Sequence, residues 1–200
     1  MRIIAGTARG RSLAGPTHDG VRPTGDRVRQ VLFDLLGQRF EGGAVLDLYC
    51  GTGALALEAL SRGCAQALLV DGDPRSLSLA ERNAAALGFA GQVRALRLAL
   101  PQGLPQLKVA PCALVFADPP YEGAAPALQA LLRWAAASGT LAEGGVLAIE
   151  TSQHVVLGDG APGLYCAVQR KVGDTLLHLY RWEAPGTPHA DPKPPSELEA

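Results

Sequence analysis

The apolar positions of this chain change their spacing from one segment to the next. Residues 2–13, RIIAGTARGRSL, hold two short apolar stretches around a Gly/Thr turn and predict a small hairpin. Residues 26–36, DRVRQVLFDLL, place Val28, Val31, Leu32, Leu35 and Leu36 at helical spacing, with Arg27 and Arg29 off that face and Gly37 where a helix stop is expected. From residue 44, short apolar runs alternate with helical ones. AVLDLYC precedes GTG and ALALEALSRG, and ALLVDGD precedes PRSLSLAERNAAALG. VRALRLAL follows, then CALVFADPPY before APALQALLRWAAAS, and then GVLAIETS. Such alternation predicts an α/β fold with a mostly parallel sheet covered on both faces. YCAVQRKV and TLLHLYRWE, joined by Gly173-Asp174, predict a closing antiparallel hairpin. Residues 184–200 are proline-rich, polar and nonperiodic, which predicts a disordered tail. No internal repeat is present.

Composition narrows the class. A chain of 200 residues that is 48% hydrophobic is long enough for one domain with a substantial core and a small appendage. No apolar run is long enough to span a membrane, and MRIIAGTARGR lacks the apolar core of a signal peptide, so a cytoplasmic protein is expected. Cys50, Cys64, Cys112 and Cys166 form no CxxC pair and read as buried thiols. His18, His154, His178 and His189 are not at ligand spacing, so no metal is expected. The net charge of −1 hides an asymmetry. Residues 1–30 carry six arginines (Arg2, Arg9, Arg11, Arg22, Arg27, Arg29) against Asp19 and Asp26, and the rest of the chain is net acidic. A basic arm on an acidic body suggests a polyanion at one end of the molecule, against the plainer reading of a solvated surface.

Three strand ends carry chemistry. Asp47-Leu48-Tyr49-Cys50-Gly51-Thr52-Gly53 runs from a strand into a helix, where glycines let the backbone approach a ligand. Ala56 replaces the third glycine of a dinucleotide fingerprint, and Asp47 would repel a pyrophosphate while suiting an amino or sulfonium cation. Asp71, about 20 residues past the turn, stands where a carboxylate accepts ribose hydroxyls, and Asp73 is read as a helix cap. An adenosine cofactor with a cationic amino-acid tail is S-adenosyl-L-methionine. Asp118-Pro119-Pro120-Tyr121 ends a further strand on the same side. The Asp118 carboxylate and the Pro119 carbonyl can accept both hydrogens of a planar amine, and the Tyr121 ring can stack on a base.

GTG, an acidic strand end and DPPY in that order resemble the class I S-adenosylmethionine-dependent methyltransferases that modify base amines. RIIAGTARGRSL, RPTGDRVRQVLFDLL, LDLYCGTGALALEALSRG, VFADPPY and KVGDTLLHLY together resemble the RsmD-type 16S ribosomal RNA guanine-N2 methyltransferases over residues 2–182. The resemblance implies a Rossmann-like, seven-stranded sheet with a C-terminal antiparallel hairpin. It divides the chain into an RNA-contacting hairpin and helix (1–40), the methyltransferase domain (41–183) and the tail (184–200). It assigns Asp47, Tyr49, Gly51, Gly53 and Asp71 to the cofactor, with Leu98 and Ala99 at its adenine, and Asp118, Pro119 and Tyr121 to the target amine. Related sequences often place an acid where Leu98 stands, so adenine recognition here is expected from backbone near Ala99 or from a carboxylate elsewhere in the chain. Arg2, Arg9, Arg11, Arg22, Thr24 and Arg27 are expected to contact RNA, with Arg22-Pro23-Thr24, which matches a motif of the family, alternatively at the methionine end of the cofactor. The implied partner is 16S ribosomal RNA, free or within a partly assembled 30S subunit, with the enzyme a monomer.

Rival readings remain at this stage. A DNA adenine-N6 methyltransferase would use the same DPPY logic, but no separate DNA-recognition domain is evident. A nicotinamide-dependent oxidoreductase conflicts with the missing GxGxxG and with Asp47. A non-catalytic RNA-binding protein on the same fold leaves Asp118 and Tyr121 unexplained.

Overall fold

Strands buried on both faces need apolar residues at every position, and Val45, Leu46 and Leu48 at the sheet centre have no exposed surface. The computed structural model describes residues 1–15, 25–120, 124–155 and 157–184. Helix α1 (Asp26–Leu36) precedes β1 (Ala44–Leu48), α2 (Ala54–Ser61), β2 (Gln66–Asp71), α3 (Pro74–Leu87) and β3 (Val93–Arg97). Next come β4 (Cys112–Ala117), α4 (Ala124–Ala137), β5 (Leu141–Ser152), β6 (Gly160–Ala161), β7 (Leu164–Val172) and β8 (Thr175–Trp182). The sheet order is β3-β2-β1-β4-β5-β8-β7-β6, parallel from β3 to β5 and antiparallel beyond. Seven strands match the expected runs, and the eighth, β6, is a two-residue addition at the edge. Its residues carry no apolar alternation, so nothing in the pattern announced it.

Strand order reverses at β1, which pairs with β2 on one side and β4 on the other. In an open α/β sheet such a reversal leaves a crevice at the carboxyl ends of the strands. Alternate residues feed two cores. Val45, Leu69 and Phe116 pack with α2, α3 and Phe33 of α1, whereas Leu46, Leu48, Val115 and Ile149 pack with Leu128, Leu131 and Leu132 of α4.

The N-terminal arm is a short irregular hairpin lying on the body: Arg2 bridges Ser12, the Ile3 amide donates to the Arg11 carbonyl at 3.0 Å and the Leu13 amide to the Met1 carbonyl at 3.1 Å. Its pairing goes no further because the next amides turn to α2. Ile4 and Ala5 donate to the Glu58 carboxylate at 2.8 and 2.9 Å, and Ala8 donates to the Ser61 hydroxyl at 2.9 Å. Gly6 passes so close to α2 that a Cβ there would lie 1.8 Å from the Ser61 carbonyl oxygen. Ile3, Ala8 and Leu13 are buried in the same core as Phe33.

Arg29 corrects the sequence reading. It is wholly buried, donating to the Arg2 carbonyl at 2.5 Å and to Asp26 at 2.9 Å, with Nε 3.7 Å from Glu58. Arg62 joins them at 2.8 Å from Glu58 and lies 4.6 Å from the Phe33 ring centroid. A buried carboxylate needs such partners to offset its desolvation. Among the described residues, no helix is long and apolar enough to cross a membrane.

Candidate active site

After β1 the chain turns sharply. Tyr49 takes φ 61°, a conformation that non-glycine residues adopt at a cost, and Gly51 and Gly53 follow at 53° and 76°. Gly53 is fixed by packing as well, because an added Cβ would lie 3.1 Å from Ala80 Cβ on α3. Burial pushes the Tyr49 phenol up to about 12, so it stays a neutral donor.

Three carboxylates meet around this turn. Asp47 is 2% exposed and accepts from the Ala56 amide of α2 at 3.1 Å. Burial raises its pKa well above the usual carboxylate range; the Ala56 bond opposes this, and the negative Asp118 and Asp71 add to it. Asp71 ties two loops together, with one oxygen accepting from Gly51 at 3.0 Å and the other from the Asp73 amide at 2.9 Å. Asp73 itself caps α3, accepting from the Arg75 amide at 2.8 Å. Asp118 follows β4 directly and is half-buried, with Pro119 buried and Pro120 exposed. Because Leu48 pairs with Ala117, Asp118 stands beside Tyr49 one step past the ladder.

The structure thus brings Asp47, Tyr49, Gly51, Gly53, Asp71, Asp118 and Pro119 to one end of the sheet. Leu98 and Ala99 follow β3 next to Asp71, whose carbonyl accepts from the Leu98 amide at 3.0 Å. Leu98 is half-buried against Gly103, and the Ala99 carbonyl accepts from the Gly103 amide at 2.7 Å. Tyr121, Arg22 and Thr24 lie outside the described residues. Arg2, Arg9 and Arg27 are exposed. Arg11 is engaged in the fold, donating to the Leu87 carbonyl at 2.9 Å and to that of Ala86, at the negative end of α3.

The sequence reading missed Asn83. It is 3% exposed and bonds both the turn at Thr52 and the arm at Ala14. The signal was an amide in the apolar register of α3, alongside Ala80, Ala84 and Leu87. Burial raises the Cys64 and Cys112 thiols to about 12 and about 11, which leaves them protonated and unreactive. Among the described residues, no group of three or more His, Cys, Asp and Glu side chains could hold a metal ion.

The crevice selects by charge. At the start of α2, the amide a pyrophosphate would seek is already bonded to Asp47, and Asp71 and Asp118 make the surroundings negative. A cation-bearing ligand fits and a dinucleotide does not. A sheet reversing at β1 with this acidic glycine turn is the architecture of the Rossmann-like methyltransferases. The family described as Conserved hypothetical protein 95 matches residues 1–181. Ribosomal RNA small subunit methyltransferase D of Escherichia coli K12 is 35% identical over 192 residues, covering 96% of this chain and 94% of that one. The solved structure of the Escherichia coli candidate methyltransferase yhhF superposes with a TM-score of 0.78 at 33% identity, covering 92% and 98% of the two chains. An RNA methyltransferase of Salinibacter ruber, solved with S-adenosyl-L-homocysteine, shares the fold at a TM-score of 0.60 and 14% identity, covering 86% and 99%. The chain belongs to the Conserved hypothetical protein 95 family, the RsmD-type methyltransferases.

Proposed function

We propose that this protein transfers a methyl group from S-adenosyl-L-methionine to the exocyclic N2 amine of one guanine in 16S ribosomal RNA. The carrying observation is the adjacency of Asp118 and Pro119 to the acidic glycine turn after β1. S-adenosyl-L-methionine supplies an electrophilic methyl group on a cationic sulfonium. Asp47, Tyr49, Gly51 and Gly53 would hold its amino-acid end, and Asp71 its ribose. Each Asp71 oxygen accepts one backbone amide and keeps a lone pair for a hydroxyl. Backbone around Leu98 and Ala99 would flank the adenine.

The Asp118 carboxylate and the Pro119 carbonyl accept the two amine hydrogens and so aim the nitrogen. As that nitrogen turns positive in the transition state, both contacts strengthen, which lowers the barrier, and the Asp118 carboxylate is placed to take the proton that the methylated nitrogen then gives up. Proline fixes the direction of the acceptor, and Tyr121 offers a face for the guanine, which must leave its stack to enter. Arg2, Arg9 and Arg27 approach RNA phosphates, with Arg22 and Thr24 on the segment between arm and helix. The name of the Escherichia coli relative supports small-subunit RNA as the substrate. The protein acts as a cytoplasmic monomer without a metal, on free RNA or on a partly assembled 30S subunit.

The test is transfer of labelled methyl to unmodified 16S RNA, to 30S particles and to DNA, followed by nucleoside analysis. N2-methylguanosine from either RNA substrate is the expected product. N6-methyladenine in DNA would replace this reading with the adenine alternative, and no transfer to any of the three would overturn it.

A further inference from the structure

Asn83 lies in the buried stripe of α3, and its amide is engaged at both ends. Nδ2 donates to the Thr52 carbonyl at 3.0 Å and to the Ala14 carbonyl at 3.1 Å, while Oδ1 accepts from the Ala14 amide at 2.9 Å. One planar group thereby joins the helix, the glycine turn and the end of the arm. Its two ends cannot be oriented independently: turning Nδ2 toward Thr52 also sets where Oδ1 faces Ala14. Displacing either backbone segment strands buried polar atoms, which is costly.

The surroundings make this link stiff. Gly53 is pressed against Ala80, one turn of α3 before Asn83, so the glycine turn has little room to slide along the helix. Three residues before Ala14, the Arg11 guanidinium grips the Ala86 and Leu87 carbonyls. The chain therefore leaves α3 at a fixed point, and the next residues lead to Arg22-Pro23-Thr24. A ligand that shifts residues 51–53 therefore shifts Ala14 through one side chain.

We infer that Asn83 is a positioning residue that couples the cofactor turn to the RNA-contacting arm, so that cofactor and RNA bind cooperatively. The inference rests on the proposed function, since it takes the turn as the cofactor's seat and the arm as RNA's. The coupling is reciprocal: RNA on the arm tightens the cofactor by the factor with which the cofactor tightens RNA.

Two measurements on the full chain test it, with S-adenosyl-L-homocysteine as the probe. In hydrogen exchange without RNA, the probe slows exchange at the Ala14 amide of the wild type and leaves that amide unchanged in Asn83→Ala. In binding assays, unmodified 16S RNA tightens the probe about fivefold or more in the wild type, and less than about twofold in Asn83→Ala. Asn83→Ala leaves buried groups unpaired and can weaken folding, so Ala14→Pro serves as a second variant. It deletes the Ala14 N–H donor, fixes φ there and restricts Leu13 before it, while leaving Asn83 and Thr52 themselves untouched. Its affinity for the probe alone stays within about twofold of wild type while the RNA effect is lost. A wild-type RNA effect near one, or an undiminished effect in both variants, overturns the coupling and leaves the proposed function standing. A wild type that binds neither the probe nor RNA overturns the proposed function and the coupling with it.

Discussion

The Asp47 carboxylate accepts a hydrogen bond from the Ala56 amide 3.1 Å away, which places a buried acid at the start of α2. Its raised pKa has two consequences of fixed sign. A bound cation favours the ionised form, so probe affinity rises with pH through the interval in which Asp47 titrates, and binding releases a proton. Calorimetry in buffers of differing ionisation enthalpy measures that release, and Asp47→Asn abolishes it. For stability, a raised folded pKa gives a contribution present below the unfolded value and lost as pH rises through the folded one. The ligand-free Asp47→Asn protein should therefore gain thermal stability over wild type as pH increases.

Asp118→Ala removes half of the proposed amine acceptor pair. Methyl transfer should fall by about 10²–10³, the scale of losing one transition-state contact, with probe affinity within a few fold of wild type. Single-turnover transfer and equilibrium binding separate the two quantities, and equal loss of both would sink the assigned role.

The arginines of the arm separate into two kinds. Arg2 and Arg9 are exposed, so Arg9→Ala should lower the salt slope of RNA binding by about 0.7–0.9 per lost phosphate contact and leave the melting temperature unchanged. Arg11→Ala should lower the melting temperature, because it uncaps the last carbonyls of α3.

Gly6→Ala meets both a close carbonyl and a φ of 81°. A destabilisation of about 2–4 kcal/mol is expected, read as a lower urea midpoint at an unchanged slope.

His178 is 1% exposed, with Nε2 3.1 Å from the Thr151 hydroxyl and no hydrogen-bond partner for Nδ1 among the described residues. Burial lowers its pKa. The unfolded chain then takes up a proton first, so stability is full above the unfolded histidine value and drains as pH falls through the folded one. His178→Gln should narrow the gap between urea midpoints at neutral and mildly acidic pH.

The strand ends were legible because period and punctuation agree there. Apolar runs that end just past Asp47 and at Asp71 and Asp118, with Gly51, Gly72 and Pro119 close behind, mark both the sheet and the edge at which these carboxylates gather. Arg29 was not legible. In sequence it falls off the apolar stripe of α1, and its depth is explained by Glu58, buried on another helix, and the Arg2 carbonyl together with Asp26. The arm was legible in part: the Ile3 and Leu13 amides pair across it as a hairpin requires, whereas Ile4, Ala5 and Ala8 give their amides to α2 side chains far along the chain. Asn83 lies between these cases. Its place in an apolar register is visible in sequence, but its partners at Thr52 and Ala14 come from tertiary structure.

The contacts of Ile4, Ala5 and Ala8 with α2 span 53 or 54 positions. During translation these early residues exist before the side chains that will hold them. At synthesis rates of about 5–20 residues per second, the arm waits roughly 3–10 s for Glu58 and Ser61. Throughout that interval its arginines belong to an undocked basic peptide next to a ribosome, itself made largely of RNA. Closure of the arm onto α2 is therefore also the step that ends the interval in which the Ile4, Ala5 and Ala8 amides wait for their acceptors.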